Sequence, residues 1–239
     1  SVNAGGHITQ VQYDYDYSRL TVTGDATFTT SGTAKNFLFG ASDLQQPGWP
    51  GASNSFAGSV TLATTGSGSF QDVQLRNVYT GPAVLNGLNA VGQLRNVRLR
   101  YDLAPTVSLP GMTLTGNLQA YANAGSISQA GAIVVNGTGA NGYSTFLAGA
   151  SGSVTLDNVN NDFNRITIAG GNTATIVDKN AIDQASWDRI QAQYDSAQAA
   201  VDQRVREHLR IGHDLFRIVA ERRVERLAEG HGLGRDHVH

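Results

Sequence analysis

Three short β-branched runs, Val154-Thr155-Leu156, Ile166-Thr167-Ile168 and Thr173–Val177, are separated by Asn, Asp and Gly. Apolar and polar positions alternate along them with period two, and each run is too short for a helix. The pattern predicts strands joined by polar corners. The same pattern runs upstream. Leu20–Phe28 reads as strand, turn, strand about Thr23-Gly24-Asp25, and Phe37-Leu38-Phe39 as an apolar strand. Ile133–Gly137 and Ser144–Leu147 flank an Asn141-Gly142 corner. In Val11–Tyr17 the alternation predicts Tyr13, Tyr15 and Tyr17 on one face of an edge strand, with Asp14 and Asp16 on the other.

These runs repeat. Phe70 and Phe163 lie 93 positions apart, as do Val73 and Ile166, and Leu75 and Ile168. Val60 to Val154 spans 94 positions, and Thr23-Gly24-Asp25 to Thr115-Gly116-Asn117 spans 92. Ser126-Ile127-Ser128-Gln129 echoes His7-Ile8-Thr9-Gln10. A shorter period sits inside: Leu75-Arg76-Asn77-Val78 returns 19 positions later as Leu94-Arg95-Asn96-Val97. A period of about 20 residues is the mark of a solenoid. One coil cannot bury its own inner face, so it stacks on the next at about 4.8 Å. The expectation is a parallel β-helix over residues 1–182, with the 93-residue repeat amounting to about four coils and Asn77 stacked on Asn96 in an asparagine ladder.

The pattern changes at Asp183. Residues 183–230 carry almost no Gly or Pro, and apolar positions recur at spacings of three and four. Trp187, Ile190, Tyr194, Val201, Val205, Leu215, Ile218 and Leu227 form the stripe, which predicts an amphipathic helix of about 45 residues, roughly 68 Å long if unbroken. Gly212 is its candidate hinge. The stripe demands a partner surface: the solenoid, a second helix or another subunit. Residues 231–239 read as a flexible tail whose histidines no rigid element holds.

Composition sharpens this division. Net charge is −2, so nothing global points to nucleic acid. Every Glu lies beyond residue 206, and the lysines are Lys35 and Lys179 alone. The absence of cysteine excludes disulfides and thiolate metal sites. No apolar run reaches the length of a membrane span. The sequence opens at Ser1 without an initiator Met or signal peptide, which reads as a piece cut from something longer, or a processed chain. No cofactor or metal is implied.

Ser126–Val135, Gly152–Asn158, Asn161-Asp162-Phe163-Asn164 and Ile166–Asn172 together resemble the repeat region of filamentous-haemagglutinin-like exoproteins, the adhesins of two-partner secretion in Gram-negative bacteria. The likeness is carried mainly by residues 125–182 and does not extend into the helical end. It implies a right-handed parallel β-helix, secretion or display at the cell surface with an outer-membrane secretion partner, and a part in adhesion or matrix formation. It brings no catalytic residues.

The contact candidates are Trp49, in a Pro- and Gly-rich loop (Asp43–Asn54) that breaks the coil rhythm, and Arg76, Arg95, Arg98 and Arg100, a basic stripe suited to an anionic polysaccharide. The expected role is an extracellular structural or adhesive solenoid, not an enzyme, self-associating into a filament through its open ends with the helix as clasp or anchor. The alternative is a receptor- or glycan-binding module trimerised by that helix. A polysaccharide-degrading enzyme is the remaining class, disfavoured by a solenoid without Glu whose histidine is His7 alone.

Overall fold

A computed structural model describes residues 1–10, 12–13, 16–17, 19–40, 53–92, 94–138 and 141–180. The Asp183–Gly230 helix with its stripe residues, the Gly212 hinge, the tail and Trp49 lie outside the described residues.

The strands follow one another in short passes. The chain forms β1 (Val2–Ala4), β2 (Ile8–Thr9), β3 (Gln12–Tyr13), β4 (Asp16–Tyr17) and β5 (Thr21–Val22), then β6 (Ala26–Thr30), β7 (Lys35–Phe39) and β8 (Ser55–Phe56). Next come β9 (Val60–Thr64) and β10 (Phe70–Asn77), then β11 (Ala83–Asn86) and β12 (Asn96–Tyr101), then β13 (Thr106–Leu109), β14 (Met112–Leu114) and β15 (Leu118–Ala122). β16 (Ser126–Gln129), β17 (Ile133–Val135) and β18 (Tyr143–Ala148) precede β19 (Ser153–Leu156), β20 (Asp162–Phe163), β21 (Arg165–Gly170) and β22 (Thr173–Ile176).

Successive strands go to different sheets, and sheet neighbours arrive one pass later. An eight-stranded sheet, the first face, runs β1-β6-β9-β11-β13-β16-β19-β22, and a seven-stranded sheet, the second face, runs β2-β7-β10-β12-β15-β18-β21. The pairing within both is parallel. The chain is therefore mainly β, a parallel β-solenoid. β3 and β4 depart from this. They pair antiparallel, Gln12 with Tyr17 and Tyr13 with Asp16, so the tyrosine run does not form the single continuous strand that alternation predicts.

Register explains the core. On the second face Phe37, Val73, Val97, Leu118, Ser144 and Ile166 form one inward column, and Phe39, Leu75, Leu99, Ala120, Phe146 and Ile168 the next. All are buried except Ile166, which is partly so. The 93-residue spacing of Val73 and Ile166 is thus four rungs of one column. The early rungs are filled by aromatics: Phe37 stacks on Phe39 with centroids 4.7 Å apart, and Phe28 tilts against both. Phe56 and Phe70 continue this aromatic packing, and the later rungs of these columns are mostly aliphatic.

The 19-residue period does not describe the rungs. Val73 pairs with Val97 and Leu75 with Leu99, an advance of 24 positions, while Leu94 bridges Leu114 at a corner. Rung length varies, at 21, 26 and 22 positions from Val97 to Leu118, Ser144 and Ile166, and the corner strands change place. β5 and β8 pair where the chain leaves the second face for the next pass, whereas β14, β17 and β20 pair where it leaves the first face. Gly24 and Gly116 therefore occupy different corners, and Ile8 and Ile127 lie in different sheets, so those two echoes of sequence are not structural repeats.

The asparagine ladder joining Asn77 to Asn96 is likewise absent, since Asn77 faces Tyr101 in register. Asn77 instead stands in for a strand. Its Oδ1 accepts the Phe56 N–H at 3.0 Å and its Nδ2 donates to the Phe56 carbonyl at 3.1 Å, closing the edge of β8 where no further corner strand follows. Asn96 belongs to a different series. Its Nδ2 donates to Asp72, its Oδ1 accepts the Asn117 N–H, and Asn117 Oδ1 accepts the Tyr143 N–H. Glycine fixes one corner by close approach. A Cβ on Gly152 would lie 2.2 Å from the Gly125 carbonyl oxygen, and one on Gly125 would lie 2.3 Å from those of Ala104 and Pro105. Backbone stacks on backbone there, and a side chain would force the rungs apart.

Candidate functional site

Residues that alternate with the core columns point outward from the second face. One row runs Leu38, Gln74, Arg98, Gln119, Thr145, Thr167, one residue per rung. A parallel row holds Asp72, Asn96 and, two rungs on, Tyr143 and Arg165. The first five residues of the first row, with Asp72, Asn96, Asn117 and Tyr143, line a cleft of about 480 Å³. The volume is that of a small-ligand site. The lining is not, for it is mostly amides, hydroxyls and a guanidinium.

The arginines of the expected stripe take three different positions. Arg76 and Arg100 are opposite one another in register, and a single carboxylate serves both: Asp102 receives each Nε at 2.7 Å and also accepts from Asn123 Nδ2 at 2.8 Å. Arg76 and Asp102 are both largely buried, so this pairing ties adjacent rungs together. Arg95 precedes β12, is half exposed, and grips Asp72 through Nε and Nη2. Arg98 sits in the cleft, between Gln74 and Gln119. Among the described residues no carboxylate pairs with it.

Electrostatics of the cleft follow from these contacts. Burial raises the Asp72 carboxyl, but hydrogen bonds from Arg95 and Asn96, reinforced by the Arg95 charge, outweigh it, and the group rests below the usual carboxylate range. Burial pushes the Tyr121 phenol up, while the Arg98 and Arg100 cations pull it back. Arg165 donates to the Tyr143 hydroxyl and lies over the Tyr143 ring, its guanidinium carbon 4.7 Å from the centroid. Gln119 Oε1 is buried and accepts no hydrogen bond among the described residues.

Gln74, Asn117, Gln119, Tyr143 and Thr145 join this site although nothing in the sequence singled them out. They come from three rungs, β10, β15 and β18, and successive rungs here advance 21 to 26 positions (Arg98 to Gln119, Gln119 to Thr145). The signal that finds them is outward phase within each strand combined with the true rung length, and the corner strands conceal the latter.

Among the described residues no three His, Cys, Asp or Glu side chains gather to hold a metal ion, and no helix is long and apolar enough to cross a membrane. A family model described as repeats of unknown function (DUF5649) matches residues 94–170, from the Leu94 bridge to the end of β21, and so covers Arg98, Gln119, Tyr143 and Thr145 of the cleft. No curated protein matches the chain, and no solved structure does.

Proposed function

We propose that the chain is a structural and adhesive segment of an extracellular protein, a right-handed solenoid rod that presents the second face laterally to a surface glycan and does no chemistry on it. The observation that carries this reading is the allocation of polar groups. Asn77, Asn161, Asp102 and the Asp72–Asn96 series all bind rung to rung, while Arg98, in the polar cleft, has no carboxylate among the described residues. Right-handed winding follows from the strong handedness of strand crossovers in parallel sheets. Secretion through an outer-membrane partner in a Gram-negative bacterium fits the haemagglutinin-like residues.

Self-association fits the same frame. β1 and β22 are the outermost strands of the first face, Val2 is 44% exposed, and Thr173, Ala174 and Thr175 are exposed. Ala174 lies in register with the buried Val154, so among the described residues no strand pairs beyond that inward position, a place where another copy could continue the stack. Two measurements test the reading. Negative-stain electron microscopy of the purified chain is expected to show end-to-end rods, and adhesion to polysaccharide-coated beads is expected above that to uncoated beads. Dispersed particles at every concentration, together with no adhesion, overturn it.

A further inference from the structure

The adhesive reading leaves open what the cleft holds. Resting on that reading, we infer that it takes a carboxylate-bearing saccharide, with Arg98 as the carboxylate receptor and the flanking amides as hydroxyl partners. Three observations converge. Arg98 is a partly buried cation in the cleft without a carboxylate among the described residues, whereas Arg76 and Arg100 share Asp102 and Arg95 holds Asp72. Asp72 is held by Arg95 and Asn96, and no contact joins it to Arg98 among the described residues. A guanidinium so placed suits a planar carboxylate, which it can receive through two parallel N–H bonds.

The second observation is Gln119 Oε1, buried in the floor and lacking a donor among the described residues. A ligand hydroxyl supplies what an unfilled acceptor needs. The third is the shape and lining. Leu38, Gln74, Arg98, Gln119 and Thr145 come from five successive rungs, so the cleft extends about 19 Å along the axis. An extended chain of sugar rings fits that length, and amides with Thr145 and Tyr143 offer donors and acceptors throughout. The surrounding field is positive: Arg76, Arg95, Arg98, Arg100 and Arg165 lie on or beside this face against Asp72 and Asp102. With Arg98 as the guanidinium lining the cleft rather than a row of them, the site selects an intermittent carboxylate over the dense charge of a nucleic acid.

Isothermal titration of the full chain with a uronic-acid trisaccharide, its methyl ester and inorganic phosphate tests this. The acid form is expected to bind about tenfold or more tighter than the ester, the yield of one charge-assisted hydrogen-bonded contact. Arg98→Gln is expected to abolish the acid-over-ester preference. Gln119→Leu is expected to weaken both forms and leave their ratio unchanged. Arg98→Lys keeps the charge, guards against a folding defect in the glutamine variant, and is expected to retain part of the preference. Equal binding of acid and ester, displacement by phosphate as effective as by the trisaccharide, or an Arg98→Gln variant with its preference intact overturns the assignment. If any of these results accompanies firm adhesion to glycan-coated beads, the adhesive reading survives and the carboxylate site does not. Loss of both removes the two together.

Discussion

Gln129 and Asn161, 32 positions apart, face each other and exchange two side-chain hydrogen bonds: Gln129 Nε2 donates to Asn161 Oδ1 at 2.8 Å, and Asn161 Nδ2 donates to Gln129 Oε1 at 2.9 Å. Gln10 and Asn54 form the same reciprocal pair at the corner after the second face. In each case the buried Asn Oδ1 also accepts a backbone N–H from the preceding pass, that of Ile133 or of Leu20. One amide thereby closes a corner, holds the next pass in register and satisfies groups that burial would otherwise orphan.

Asn161 is fully buried and also donates to the carbonyls of Leu156 and Val177. Asn161→Ala leaves the Ile133 N–H and the Gln129 amide without partners. It is expected to cost about 3 kcal/mol, measured by urea unfolding. Asn164→Ala, which removes one bond to the Gly137 carbonyl from an exposed residue, is expected to cost no more than about 1 kcal/mol. Equal costs for the two would contradict the corner role.

Ser144 makes the opposite case. It occupies the inward column between Leu118 and Ile166, and its hydroxyl is buried with no hydrogen bond among the described residues. Removing the hydroxyl removes a desolvation penalty with little loss of volume. Ser144→Ala is expected to stabilise the protein by about 1 kcal/mol, seen as a raised Tm in calorimetry. A lowered Tm would mean that the hydroxyl is partnered.

At the Gly125–Gly152 corner the expected effect is steric. Gly152→Ala sets a methyl group against a backbone carbonyl that cannot move without shifting the rung below. A loss of about 1–3 kcal/mol follows. Gly66→Ala is a useful contrast, because a Cβ there meets nothing within 4 Å although φ is +59°. Its cost is backbone strain alone, roughly 1 kcal/mol.

Alkaline pH probes the core. Burial pushes the Tyr101 phenol far above its ordinary value of 10.0. The folded state thus keeps a proton that the unfolded state gives up. Its contribution to stability is whole below the ordinary tyrosine value and falls as pH rises past it. Tyr101→Phe is expected to unfold at higher pH than the parent in a circular-dichroism titration. An unchanged alkaline midpoint would show that another group controls it.

Much of this architecture is legible in the strand runs themselves. Val154–Leu156, Ile166–Ile168 and Phe37–Phe39 are strands because alternating β-branched and aromatic residues suit a half-buried pleat, and the 93-residue spacing of Val73 and Ile166 measures four rungs. The 19-residue period fails to measure the individual rung for a physical reason. Leu75-Arg76-Asn77-Val78 and Leu94-Arg95-Asn96-Val97 share letters but not phase: Leu75 is an inward strand residue and Leu94 a corner residue. Apolarity alone does not separate the two. The cleft was half visible. Its arginine could be named from the sequence, but Gln74 and Gln119 become its neighbours only once rungs of 24 and 21 residues are known. Polar side chains that bond across rungs leave no periodic mark, so the parts played by Asn54, Asn77 and Asn161 had no sequence signal beyond being Asn.

Stacked rungs are the claim on which the rest depends, and the absence of cysteine makes one distance a direct test. Leu38 and Thr167 lie in the same outward row, five rungs apart. Spin labels on Leu38→Cys and Thr167→Cys are expected to give a narrow pulsed electron–electron distance centred at about 24 Å. A distribution centred beyond about twice that rung-derived length, or one too broad to have a centre, would contradict the solenoid.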